Sequence, residues 1–134
     1  MSSGRSKGRE YSTLKLGVRQ QDQIMERVKI DCSQIRNWDS FHDTFKSVFG
    51  FPEFYGRNMD AWIDCMTCLD DPGAGMSART CKAGDFVLLE LDHAGDLKTK
   101  CPDIFSALLE CSGFVNYRRI ETGEPPVLIL SLYS

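Results

Sequence analysis

Phe51-Pro-Glu-Phe-Tyr-Gly-Arg-Asn-Met-Asp-Ala-Trp-Ile-Asp-Cys-Met-Thr67 joins an aromatic–glycine turn to a short helical pattern and sets two carboxylates one helical turn apart. Residues at i and i+4 share a helix face, with i+3 and i+7 beside them. Asp60, Ile63, Asp64 and Thr67 therefore form one stripe, acidic where a helix that only packed would be apolar. Like charges at this spacing cost an isolated helix about 0.2–0.5 kcal/mol. The pattern points to a demand from outside the folding problem. Met59, Trp62 and Met66 form the opposite side, expected to be buried.

Working outward, Arg27-Val-Lys-Ile-Asp-Cys32 alternates apolar and polar residues and predicts a short strand. Asn37 or Asp39 suits the cap of a helix with Phe41, Phe45, Val48 and Phe49 on its apolar face. Gly50 stops that helix and Pro52 forbids its continuation. The helix of the quoted stretch is expected from about Asn58 to Leu69. Asp70-Asp-Pro-Gly-Ala-Gly-Met-Ser-Ala-Arg79 reads as a loop, with Gly73-Ala-Gly75 as its flexible part. Phe86–Leu91 is a nearly continuous apolar run, which predicts a strand covered on both faces. A short helix opens near Asp92. Pro102 and Asp103 suit the first turn of a longer one showing Ile104, Leu108, Cys111 and Val115 on one side. Gly123-Glu-Pro-Pro126 breaks the chain before a second buried strand, Val127–Leu132. Strand, helix, helix, strand, helix, helix, strand is an α/β pattern built around a small parallel sheet.

A chain of 134 residues with 42% hydrophobic and 26% charged side chains suffices for one domain and an ordinary core. Residues 1–26 read as a basic, flexible N-terminal segment and 27–134 as the domain. The first 23 residues hold five basic and two acidic side chains. The rest holds eleven basic and seventeen acidic ones, a net charge of −6. An acidic body disfavours direct nucleic-acid binding and attracts a basic macromolecule. No apolar run reaches the length of a membrane span, and the N-terminus lacks the apolar segment of a secretory signal. The expectation is a cytoplasmic protein with its six cysteines reduced and no membrane partner.

Asp60 and Asp64 admit several chemistries: an acid/base pair, metal ligands, a protein-binding surface or plain solvated charges. A glycosidase pair faces across a sugar cleft, whereas these two lie on one surface. A magnesium site lacks a further carboxylate placed with them. Cys65-Met-Thr-Cys68 is a CxxC at the wrong end of a helix for a redox nucleophile, and no second pair completes a zinc site. Small buried hydrophobes are the favoured reading of these cysteines. His42 on an expected surface helix and His93 in a turn have no nucleophile motif to serve, and no phosphate-cradling glycine motif is present. Arg118-Arg119 is at most a small basic patch.

Along Pro52–Thr67, and upstream without a gap through Gln34-Ile-Arg-Asn-Trp-Asp-Ser-Phe-His42, the sequence resembles the barstar family of intracellular ribonuclease inhibitors. The resemblance runs, more loosely towards the C-terminus, over about 100 residues. It implies a barstar-like α/β fold with a three-stranded parallel sheet and about four helices. It also implies an immunity or antitoxin protein that plugs a cytotoxic ribonuclease with its second helix and the preceding loop. Phe54 matches the family's enzyme-packing aromatic, Asp60 and Asp64 its acidic contacts with Asp64 dominant, and Thr67 a polar contact. Glu110 matches a peripheral acid of the fourth helix, and Asn58, Ile63 and Cys68 complete the expected contact face. The implied partner is a basic ribonuclease bound as a 1:1 heterodimer, with no cofactor, no metal and no reaction catalysed. Ile63, Cys68 and Leu69 stand where the family has tryptophan, glycine and tryptophan. Arg57 replaces a glutamate, and Asp70–Lys82 and Asn116–Glu124 are insertions. These departures favour a cognate enzyme other than barnase. The alternative is a barstar-fold interaction or regulatory module with no ribonuclease partner.

Overall fold

Alternation in Glu26–Asp31 buries Val28 and Ile30 completely and makes the first strand, β1. Val87–Asp92 (β2) and Leu128–Leu132 (β3) complete a parallel sheet in the order β1-β2-β3. The register sets Val28 and Ile30 against Leu89 and Leu91, and Leu89 in turn against Leu130. Among the described residues four helices accompany it: α1 (Trp38–Phe49), α2 (Met59–Thr67), α3 (Ala94–Lys100) and α4 (Pro102–Glu121). This is the expected α/β fold. The structure, a computed structural model, describes residues 25–134, so nearly all of the basic N-terminal segment lies outside the described residues.

The helix ends follow local chemistry. Asn37 caps α1 by accepting from the Ser40 amide at 2.8 Å, while Ser40 Oγ accepts from the Asn37 amide at 3.0 Å. Gly50 ends it at φ +69°, and a Cβ there would stand 2.6 Å from that of Ala78, so glycine is required twice over. Trp62 of α2 is fully buried against Phe45 and Phe41, with ring centroids 5.6 and 6.4 Å away.

Several expectations need correction. The apolar run of β2 predicted cover on both faces, but among the described residues the second face is open. Arg27, Lys29 and Ile129 are exposed there and Leu88 is half-buried. Glu90 shares that face and stays buried by accepting from Arg27 Nη2 at 2.6 Å, which holds its carboxyl below the usual range. The loop around Gly73–Gly75 holds local structure on its way to β2. Pro72–Ala74 form a 3-10 turn. The Ala78 amide and Ser77 Oγ donate to the Phe49 carbonyl, and Arg79 Nε reaches Glu26 at 2.8 Å. The segment Asn116–Glu124, read as an insertion, mostly extends α4, because Ile104, Leu108, Ser112, Val115 and Arg119 keep one inward face through residue 119. Cys111 lies at the edge of that face and is only half-buried.

Candidate functional site

The turn that introduces α2 is held from below. Phe51 and Tyr55 are buried, and Tyr55 Oη lies 2.6 Å from Nδ1 of His42. His42 was expected on a surface, yet the core encloses it. Burial first, and then the charge of Arg57, lower its pKa, so the ring is held neutral. Burial likewise pushes the Tyr55 hydroxyl well above its ordinary pKa. Arg57 takes a left-handed conformation (φ +55°) and turns back to α1, meeting Asp43 at 2.9 Å and Asp39 at 3.2 Å. The reversed charge that the sequence places in this loop is thereby drawn away from the acidic stripe. Phe54, between these anchors, is 74% exposed.

Asn58 caps α2, accepting from the Ala61 amide at 2.8 Å, so its carbonyl oxygen serves the helix. Asp60 follows in the first turn, where the helix dipole favours a carboxylate. Its side chain makes no ion pair among the described residues. The Asp64 side chain is 58% exposed and meets Arg118 Nη1 of α4 at 3.3 Å. Phe54, Asp60 and Asp64 line one shallow groove of about 350 Å³. Glu110 is exposed on α4, and Cys111 lies beside both it and Asp60. The Cys111 thiol is raised by burial first and then by these two charges. The outward face of α2 and the adjoining edge of α4 therefore carry three carboxylates.

Three expected contacts sit differently. Ile63, placed on the acidic stripe by its spacing, is only 8% exposed, because α4 packs on that flank of α2 and covers it. Thr67 is half-buried, its hydroxyl donating to the Ile63 carbonyl at 2.6 Å. Cys68 is the half-buried C-cap, its thiol raised chiefly by burial. Cys65 is buried with its pKa pushed up to about 11, which leaves it an unreactive thiol. No cluster of three metal-binding side chains occurs among the described residues. No helix there is long and apolar enough to cross a membrane.

Sequence reasoning missed what fastens α2. Arg119 is 3% exposed and donates from both Nη atoms to Asp70, at 2.7 and 3.0 Å. It also donates to the carbonyls of Thr67 (2.9 Å) and Pro125 (2.8 Å). One guanidinium thus ties the end of α2 to the end of α4. The only sequence signal was a pair of adjacent arginines in a last helical turn.

Comparison with known proteins identifies the family. The family model described as Barstar (barnase inhibitor) matches residues 25–130. A Bacillus subtilis (strain 168) protein named "Putative ribonuclease inhibitor YrdF" is 42% identical over 43 residues, which are 32% of this chain. The match spans 47% of that relative, about half its length.

Proposed function

This chain belongs to the barstar family, a family of ribonuclease inhibitors, and from that premise we propose that it blocks a basic ribonuclease stoichiometrically with the exposed face of α2. The observation that carries the reading is the contrast within residues 51–67. Phe51, Tyr55, Trp62 and Met66 are buried, while Phe54, Asp60 and Asp64 open onto one groove. A ribonuclease cleft gathers cationic groups around a phosphodiester. Carboxylates held on a rigid helix can take the phosphate's place and accept charge-assisted hydrogen bonds. Asp64, central on the face, is the principal contact. Asp60 lies beside it, Phe54 supplies apolar area at one end, and Glu110 is a peripheral charge.

The inhibitor forms a 1:1 complex, catalyses nothing and works in the cytoplasm of a cell exposed to the enzyme, as immunity or antitoxin proteins do. Its acidic body speeds encounter with a basic partner at low salt. Truncating one partner of such a desolvated pair costs about 2–5 kcal/mol or more. That range is informed by the barnase–barstar complex itself, so it is borrowed from a relative.

RNA cleavage by barnase and by basic ribonucleases of the source cell, with increasing amounts of this chain, tests the reading. Inhibition that saturates at one equivalent and is abolished by Asp64→Arg is the expected result. Equal inhibition by Asp64→Arg would move the contact elsewhere. No inhibition of any ribonuclease would leave an interaction module without this activity.

A further inference from the structure

Among the described residues, Arg118 is the basic side chain that pairs with a carboxylate of the acidic face. Its Nη1 stands 3.3 Å from Asp64 Oδ1, and its guanidinium carbon lies 5.9 Å from the centroid of the Phe114 ring. Phe114 is itself half exposed and stacks with Tyr117 at 6.4 Å. Carboxylate on one side and ring on the other define where the guanidinium rests. The backbone beneath is fixed as well, since Arg119, the next residue, is anchored to Asp70, Thr67 and Pro125. Arg118 therefore cannot leave the face by rotation of the helix. Arg57, in the loop before α2, is occupied by Asp39 and Asp43.

We infer that Arg118 is a specificity-determining residue, which partly neutralises Asp64 in the free chain and sets which cationic partners the face accepts. The inference rests on the reading above that this face meets a basic protein. An exposed pair of this kind is weak, so a partner's cation displaces it at small cost. The displaced guanidinium stays at the rim, tethered by α4, and repels a second cation placed opposite it. A partner with a neutral or acidic group there is tolerated. Specificity commonly includes such a repulsive element.

The test uses the full chain with Arg118→Gln, Arg118→Glu, Asp64→Asn and the Asp64→Asn/Arg118→Gln double variant. Arg118 is exposed, so the melting curve of Arg118→Gln should overlay that of the parent. The first probe is a short oligo-arginine peptide titrated at low salt and followed by backbone amide shifts in α2. Arg118→Gln should bind it about threefold more tightly and Arg118→Glu about tenfold, with the Arg118→Gln gain smaller when Asp64 is Asn. Equal or weaker binding by Arg118→Gln overturns the inference, whatever any ribonuclease does. The second probe is barnase, for which Arg118→Gln should associate faster than the parent. Unchanged association with barnase inhibited normally also overturns the inference and leaves the proposed function standing. A peptide gain with no ribonuclease inhibited by any variant removes the inhibitory reading, while Arg118 still sets the charge of the face.

Discussion

Consecutive residues of α4 make two arginine–aspartate pairs of opposite character. Arg119 is buried and Asp70 partly so, joined by two short bonds, while two backbone carbonyls and the exposed Glu124 carboxylate at 3.3 Å complete the arginine's set. Arg118 and Asp64 are both substantially exposed and meet at one longer contact. Removing one partner of a buried pair costs about 3–5 kcal/mol, because the other charge is left without compensation. Exposed pairs contribute about 0–1 kcal/mol, since water already solvates both groups. The same side-chain chemistry thus does two jobs. Inside, it fastens the acidic helix; outside, it stays exchangeable, as the proposed contact surface requires.

The contrast can be broken in order of expected effect. Asp64→Ala should weaken inhibition of a bound ribonuclease by about 5 kcal/mol, mostly through faster dissociation in stopped flow. Its urea midpoint should stay at the parent's value, and a large drop in stability would erase the distinction. Arg119→Ala should do the reverse and cost about 3 kcal/mol of stability, the lower end of the buried range because Asp70 keeps some access to water. Urea unfolding reads this directly, and a loss under about 1 kcal/mol would show that the pair behaves like its exposed neighbour.

Tyr55→Phe tests another buried polar contact, the one between Tyr55 and His42. Without the hydroxyl, His42 Nδ1 is buried with no partner, and the expected loss is about 1–2 kcal/mol by the same measurement. An unchanged midpoint would mean that water replaces the phenol. The smallest effect concerns pH. His42 is held neutral in the fold and takes a proton more readily when unfolded, near its ordinary pKa of about 6.5. Its contribution is therefore complete above about pH 6.5 and declines as pH falls from there towards the lower folded value. Glu90 and Asp31, whose carboxyls are also held low, lose their contributions only at more acid pH, through their own folded values. Urea midpoints between pH 7.5 and about 5.5 should fall in the parent and fall less in His42→Gln. Identical profiles would place the sensitivity elsewhere.

Much of the frame was legible because its signals are local. Asn37 and Ser40 within one turn, Gly50 before Pro52, and the alternation of Val28 and Ile30 each act over a few residues. The helical spacing of Asp60 and Asp64 likewise put both on an accessible face without knowledge of the rest. Ile63 was misplaced because helical spacing gives only an angle around an axis. Which angles are covered depends on the neighbouring helix, and α4 covers that one. His42 failed for a related reason: besides Trp38 and Phe41 of its own helix, part of its cover and its hydrogen-bond partner come from Tyr55, thirteen residues away.

The sequence by itself determined the elements and their order, and it placed the acidic pair on one helix, since caps, turn residues and periodicity are short-range properties of the chain. Tertiary structure alone decided that, among the described residues, one face of the sheet lies open and that Arg57 turns away to α1. It also decided that Arg119 goes inward while Arg118 goes to Asp64. Those outcomes join residues as many as 54 positions apart. Such partners are chosen when packing brings their helices together, and a charge read along the chain carries no record of which opposite charge it will meet.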